Sequence, residues 1–294
     1  MRRAQFYRRR DDRVRYRLSP GCPSIRVEPR RGRSARCAIS TQREKAEKFH
    51  SLHVKGDPVV LYNIWDPGSA SVVAEAGARA LATGSAPVAM SQGYRDGEHI
   101  PLQTALANVQ RIVEQTDLPV SLDFEGGYAA EPSEIKANVA RALATGVVGI
   151  NFEDQIVGTS ELYEPSIQAA RIAAAREAVE ESGAGAFLNC RTDLFLKNAR
   201  EQHDAAMLKL AIERAGVFAS AGADGFFAPG LVDESLIGEL CEAVQLPVNI
   251  IALPGCPPKA TLARLGVARL SYGPVAYKQL MAKLGEAAKQ ALSD

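Results

Sequence analysis

Cysteine is scarce in this 294-residue chain and nowhere clustered: the five residues stand at 22, 37, 190, 241 and 256, with no C-x-x-C pair among them. That spacing excludes a zinc module and a disulfide framework, and it suits a reducing, cytoplasmic setting. Cys190 and Cys241 sit in apolar contexts and read as core residues rather than nucleophiles. Long hydrophobic runs are missing too. No stretch approaches the roughly 18 apolar residues of a membrane span, so a soluble chain with no membrane partner is expected. Residues 1–40 lack the apolar segment of a secretory signal. What is present, 46% hydrophobic residues, suffices for a sizeable core.

Net charge is only +1, but it is unevenly spread. Residues 1–40 carry 13 Arg against Asp11, Asp12 and Glu28, a net of +10, whereas the remaining 254 residues carry 22 basic and 31 acidic side chains, a net of −9. An acidic body does not suggest a nucleic-acid partner. The Arg-rich stretch contains Pro20, Pro23 and Pro29, shows no periodicity, and is expected to be disordered. It is a basic arm for nucleic acid or acidic lipid, an organelle transit peptide, or sequence upstream of a true start near Thr41. The folded domain is then 41–294.

From Thr41 onward, short apolar runs alternate with longer amphipathic segments. The runs are 59–63, 80–83, 119–124, 149–153, 186–191, 225–228, 247–252 and 268–272, each nearly continuous in hydrophobicity, as strands buried on both faces should be. The segments 69–76, 102–115, 133–144, 167–181, 204–221, 234–244, 259–265 and 275–292 read as helices, several closed by a glycine such as Gly146 or Gly222. Eight strand–helix units predict an α/β fold, a closed parallel (β/α)8 TIM barrel. A doubly wound open sheet would show a glycine-rich turn after its first strand, and Asn63-Ile64-Trp65-Asp66-Pro67-Gly68 is not one.

Such barrels work at the C-terminal ends of their strands. The third strand ends in Asp123-Phe124-Glu125 and the fourth in Asn151-Phe152-Glu153-Asp154. Period two puts Asp123 and Glu125 on one side, with Glu153 one strand over. Acids converging in a partly dry pocket repel unless a cation joins them, and oxygen-only ligands favour Mg²⁺ or Mn²⁺. Asp154 reads equally well as a surface or capping group. Arg191, at the end of the fifth strand, is placed to hold a substrate carboxylate through its fork, or else to pair with Asp193 or a rim acid. The small residues Thr83-Gly84-Ser85-Ala86 let backbone N–H groups approach an anion.

With these residues assembled, the chain resembles the isocitrate lyase/phosphoenolpyruvate mutase superfamily from about Phe49 to Leu284. The likeness rests on linked motifs in order: Asn-Ile-Trp-Asp-Pro-Gly-Ser-Ala at 63–70, Ala-Thr-Gly-Ser-Ala at 82–86, Gly-Tyr-Arg-Asp-Gly at 93–97, Leu-Asp-Phe-Glu-Gly-Gly-Tyr at 122–128, Gly-Ile-Asn-Phe-Glu-Asp-Gln at 149–155, Asn-Cys-Arg-Thr-Asp at 189–193 and Ala-Asp-Gly-Phe-Phe-Ala-Pro-Gly at 223–230. The resemblance implies that Asp123 is the main Mg²⁺ carboxylate, that Glu125 stands where relatives carry a second Asp, and that Glu153 is the fourth-strand acid. It implies Asp96 close to the reacting group, and Trp65, Ser85, Ala86, Arg191 and Asn249 around the substrate. It also implies a homotetramer that exchanges its C-terminal helix, here 275–292. The departure is the loop at 155–165, which lacks the Lys and Cys that lyase and mutase relatives carry. An isocitrate or methylisocitrate lyase is therefore not expected.

The chemistry implied is cleavage of a small 2-oxo (di)carboxylic acid to an enolpyruvate-type intermediate, with oxaloacetate the leading candidate, since CO₂ leaves without a protein base. Tyr128, Tyr163 or Asp96 would handle the final proton. The alternatives are a C–C lyase or hydrolase of a substituted malate, a phosphonopyruvate-type C–P enzyme, and a degenerate barrel that binds a metabolite without turning it over.

Overall fold

A computed structural model describes residues 41–293; the arm, transit-peptide and start-site readings of 1–40 lie outside the described residues. Eight parallel strands form one sheet: β1 (Val59–Leu61), β2 (Leu81–Ala82), β3 (Val120–Asp123), β4 (Gly149–Glu153), β5 (Phe187–Arg191), β6 (Gly225–Phe227), β7 (Val248–Ile251) and β8 (Arg269–Ser271). Neighbours pair in chain order from β2 to β8, and β8 returns to β1. The remaining seam is joined just past β1, where Ile64 N–H donates to Ala82 O at 2.9 Å and Gly84 N–H to Ile64 O at 3.1 Å. The result is the expected (β/α)8 barrel.

Among the described residues ten α-helices accompany the strands: α1 (Gln42–Ser51), α2 (Pro67–Glu75), α3 (Ser85–Ser91), α4 (Leu102–Gln115), α5 (Pro132–Leu143), α6 (Pro165–Ser182), α7 (Ala205–Ser220), α8 (Glu234–Ala243), α9 (Lys259–Arg264) and α10 (Val275–Ser293). Eight match the helices expected from periodicity to within two residues; α1 and α3 are additions. Gly222 shows why glycine stops α7: its φ is +103°, and a Cβ there would lie 2.8 Å from the Arg176 side chain. Among the described residues no helix is long and apolar enough to cross a membrane.

Helix α1 closes the N-terminal end of the barrel. Its capping box pairs Thr41 with Glu44, and its buried face delivers Phe49 against the start of β4. Gly149 makes the room: a Cβ there would meet the Phe49 ring at 2.6 Å. His53, just beyond α1, stacks on Phe187 with centroids 4.0 Å apart, and burial, helped by Arg269, lowers its pKa to about 3. Above this plug the interior is polar. Asn189 Nδ2 donates to Asn151 Oδ1 at 2.9 Å and to Asn249 Oδ1 at 3.1 Å, and Arg269 Nη2 reaches Asn151 Oδ1 from β8 at 3.0 Å. The apolar core lies outside the strands, where Leu122, Ile150, Leu188, Phe226 and Ile250 meet the helices.

Candidate active site

The barrel register places Asp123 beside Asn151 and Glu153 beside Arg191. Glu153 and Arg191 form an ion pair, Oε2 to Nη1 at 2.9 Å, and both are largely out of solvent. Arg191 presents its Nε and Nη2 to Asp193, the latter at 2.9 Å. Burial pushes the Glu153 carboxyl well upward against the pull of Arg191, and the guanidinium keeps its proton. Asp154 faces away from the mouth. Fully buried, it accepts Asp193 N–H at 2.9 Å and Arg214 Nη1 at 3.0 Å, and burial lifts its pKa to about 6. Asp154 thus braces the turn after β5.

On the other side of the mouth, Asp123 accepts the Ser85 N–H on Oδ2 at 3.0 Å, while its Oδ1 is buried with no partner. Ser85 opens α3, directly after Gly84. The Ser85 hydroxyl hydrogen-bonds the Asp96 carboxylate, whose pKa is raised by desolvation and then by Asp123. Asp96 therefore lies over Asp123, with the outer face of its residue in solvent. Ala86 is the second residue of α3.

Glu125, Tyr128 and Glu98 are non-glycine residues in the left-handed region, at φ +51°, +57° and +58°. Each such residue costs about 1 kcal/mol or more and persists only where its surroundings hold it. Tyr128 packs on Phe124, and desolvation, then Glu125, raises its hydroxyl pKa. Tyr163 lies over Arg171, 4.0 Å from the guanidinium carbon. A small cavity of about 20 Å³ is lined by Thr83, Ser85, Asn108, Asp123, Glu125 and Tyr128.

Desolvation, then Asp96 and Asp123, raise the Glu125 pKa to about 8. The sign follows by proton linkage: between pH 4.5 and 8 the folded form holds a proton that the unfolded chain has released. In EDTA the protein is expected to lose stability as pH rises through that window, and Glu125→Gln should flatten the loss. Urea unfolding at pH 5, 7 and 9 checks this; an unchanged slope in the variant would refute it.

One expected substrate contact sits elsewhere. Asn249 is fully buried inside the barrel, and its amide is used by Asn189, Ile250, Arg269 and Ser271. Its polarity completes the interior layer, so no atom of it is left for a ligand at the rim. Trp65 is half-buried against Tyr277, centroids 5.2 Å apart, and its carbonyl accepts from Asn108. The Arg191–Asp193 pairing was one of the expected readings; Glu98, which acts through loop conformation, and Arg171, on helix α6, were not singled out in the sequence.

Asp123, Glu125 and Glu153 share one mouth but do not form a closed ligand cage. Glu153 faces Arg191, Glu125 faces the Glu98 N–H, and among the described residues no three His, Cys, Asp or Glu side chains are grouped to hold a metal by themselves. The donor set still fits a hard cation. Mg²⁺ takes one or two carboxylates and fills the rest of its shell with water and substrate, and Asp123 Oδ1 is a buried acceptor lacking a donor amid surplus negative charge.

Residues 49–292 match the family described as phosphoenolpyruvate phosphomutase. The chain belongs to that family. It is similar to a candidate phosphonomutase from Burkholderia cenocepacia J2315, at 45% identity and TM-score 0.83 over 85% of this chain and 99% of that one. An uncharacterized protein of Mycobacterium tuberculosis strain H37Rv is 37% identical over 84% of this chain and 89% of its own. The 2-methylisocitrate lyase of Escherichia coli K12 is 23% identical, covering 68% of this chain and 67% of the lyase. The chain is thus an enzyme of the superfamily of C–C and C–P lyases and mutases. The loop after β4 is a short hairpin: Gln155 bridges Leu162, and Lys197 holds the Thr159 carbonyl at 2.8 Å.

Proposed function

We propose that this family member is a Mg²⁺-dependent (or Mn²⁺-dependent) lyase that decarboxylates a small 2-oxo dicarboxylate, oxaloacetate foremost. The observation that carries the reading is the buried, unpartnered Oδ1 of Asp123 in a mouth of surplus carboxylates. Asp123 would hold the metal directly, with Glu125 and Glu153 acting through water. When bound, the ion supplies the positive charge that a developing enolate needs. Arg191, braced by Asp193 and Glu153, would offer its remaining N–H groups to a substrate carboxylate, and the Ala86 N–H would support the 2-oxo group, the Ser85 N–H being held by Asp123.

The C3–C4 bond breaks, CO₂ departs, and its electron pair moves into the C2–C3 enolate. A proton must then reach C3. Asp96 would deliver it, a role supported by its contact with the Ser85 hydroxyl and by the upward pKa shift that desolvation and Asp123 cause. No thiol or ammonium from the β4–α6 hairpin is required. Purified protein mixed with oxaloacetate, with Mg²⁺ or with EDTA, should form pyruvate faster than the metal alone, as followed by NMR. No gain over the metal-only rate would remove this substrate. A phosphonopyruvate-type C–P enzyme is the second reading, favoured by the 45% identical candidate phosphonomutase; ³¹P NMR with phosphonopyruvate tests it.

Assembly belongs to the same proposal. Helix α10 buries only Ala276 and leaves Leu280 53% and Leu284 60% exposed, with Met281 beside them. An apolar stripe of this kind on a terminal helix suits exchange between subunits of a homo-oligomer. Light scattering should show a tetramer, and Leu280→Glu with Leu284→Glu should convert it to smaller species. A wild-type monomer at micromolar concentration would refute the assembly. The scattered cysteines support a cytoplasmic location.

A further inference from the structure

The loop at 92–101, between α3 and α4, brings Asp96 to the mouth. Residues 92–96 are exposed, so burial does not hold them there. Two residues beyond Asp96, Glu98 grips the turn after β3 in both directions. Its N–H donates to Glu125 Oε2 at 2.8 Å, and its Oε1 accepts the Tyr128 N–H at 2.8 Å. The Gly126 N–H supports the same carboxylate. Each loop thus supplies a carboxylate for the other's backbone, and the left-handed φ of Glu98, Glu125 and Tyr128 aims the groups at one another.

The turn that Glu98 holds is itself anchored. Gly126 O accepts from Arg171 Nη2 at 2.6 Å, and Ala129 O from the same nitrogen at 3.1 Å. Arg171 projects from α6 and lies over the rings of Tyr163 and Phe152, so the support spans three elements. Gly126 leaves room for the contact, since a Cβ there would stand 3.1 Å from Glu98 Oε1 and 3.2 Å from Val157.

We propose that Glu98 is a positioning residue: its carboxylate latches the 92–101 loop to the turn after β3 and so sets Asp96 over Asp123 and Ser85. This rests on the functional reading only for the role of Asp96, so the test has one arm that needs no turnover. Glu98→Ala keeps the N–H and removes the carboxylate; Glu98→Gln keeps one acceptor oxygen. In hydrogen exchange of the full chain, Glu98→Ala should speed exchange at 92–101 and 124–129 at least tenfold and leave 205–220 unchanged, with Glu98→Gln close to wild type. Unchanged exchange at 92–101, or an equal rise at 205–220, would overturn the latch. In the oxaloacetate assay, Glu98→Ala should lower kcat at least tenfold with little change in KM, and Glu98→Gln should restore most of it. Added to Asp96→Asn, Glu98→Ala should lower kcat no further; multiplicative losses would overturn the positioning role. Absence of wild-type turnover would refute the substrate while the exchange arm still decides the latch.

Discussion

Asp123→Asn should abolish catalysis and leave the barrel standing. The substitution keeps an oxygen for the Ser85 N–H, which now meets Oδ2 at 3.0 Å, and removes the one charge whose Oδ1 has no partner in the protein. Turnover of oxaloacetate is expected to fall on the order of 10³-fold, about 4 kcal/mol of transition-state stabilisation. Stability should move the other way. Asp123 raises the pKa values of both Asp96 and Glu125 by repulsion, so the variant in EDTA should unfold at the same or higher urea concentration than wild type. Ligand linkage adds a second signature: a saturating ion at about 100 times its Kd stabilises by about 2.7 kcal/mol. Mg²⁺ should therefore raise the wild-type Tm and leave that of Asp123→Asn unmoved. A variant that kept Mg²⁺-dependent turnover would sink the metal assignment.

Arg191→Met should be the most damaging single change to the fold. Glu153 and Asp193 have side chains only 3% exposed, and both rely on this guanidinium. Removing one partner of a buried pair costs about 3–5 kcal/mol, and each kcal/mol moves Tm by roughly 2–4 °C in a domain of this size. A Tm lower by roughly 6–20 °C is expected, together with loss of turnover. The deficit should shrink as pH falls, because the stranded Glu153 carboxyl, pushed upward by burial, takes up a proton that the unfolded chain does not yet bind. Glu153→Gln added to Arg191→Met should recover part of the stability and none of the activity. Calorimetry between pH 5 and 8 reads both effects; a variant as stable as wild type at pH 8 would refute the argument.

The barrel was legible because its strands are covered on both faces, so each appears as a short apolar run. Asp123, Glu153 and Arg191 were legible for a related reason, since each ends a run on the polar side of an alternation. Helix α1 was not, because only Ala46 and Phe49 of its ten residues are buried. Helix α3 begins Ser85-Ala86-Pro87, which reads as a small-residue loop. Asn249 was expected near the substrate through the family resemblance alone, and the interior layer that occupies its amide is assembled from distant parts of the chain. Glu98, Glu125 and Tyr128 meet through left-handed backbone, which residue periodicity does not encode.

That interior layer also bears on how such a barrel changes over generations. Asn151 answers both Asn189 and Arg269, and Asn189 answers Asn249. These contacts tie together β4, β5, β7 and β8. A lone replacement by an aliphatic residue on one strand abandons a buried donor or acceptor on another, at about 1–3 kcal/mol each. Descendants can therefore remodel the centre only through coordinated changes, whereas the rim loops vary one residue at a time. New chemistry accumulates above a foundation that mutation finds hard to enter.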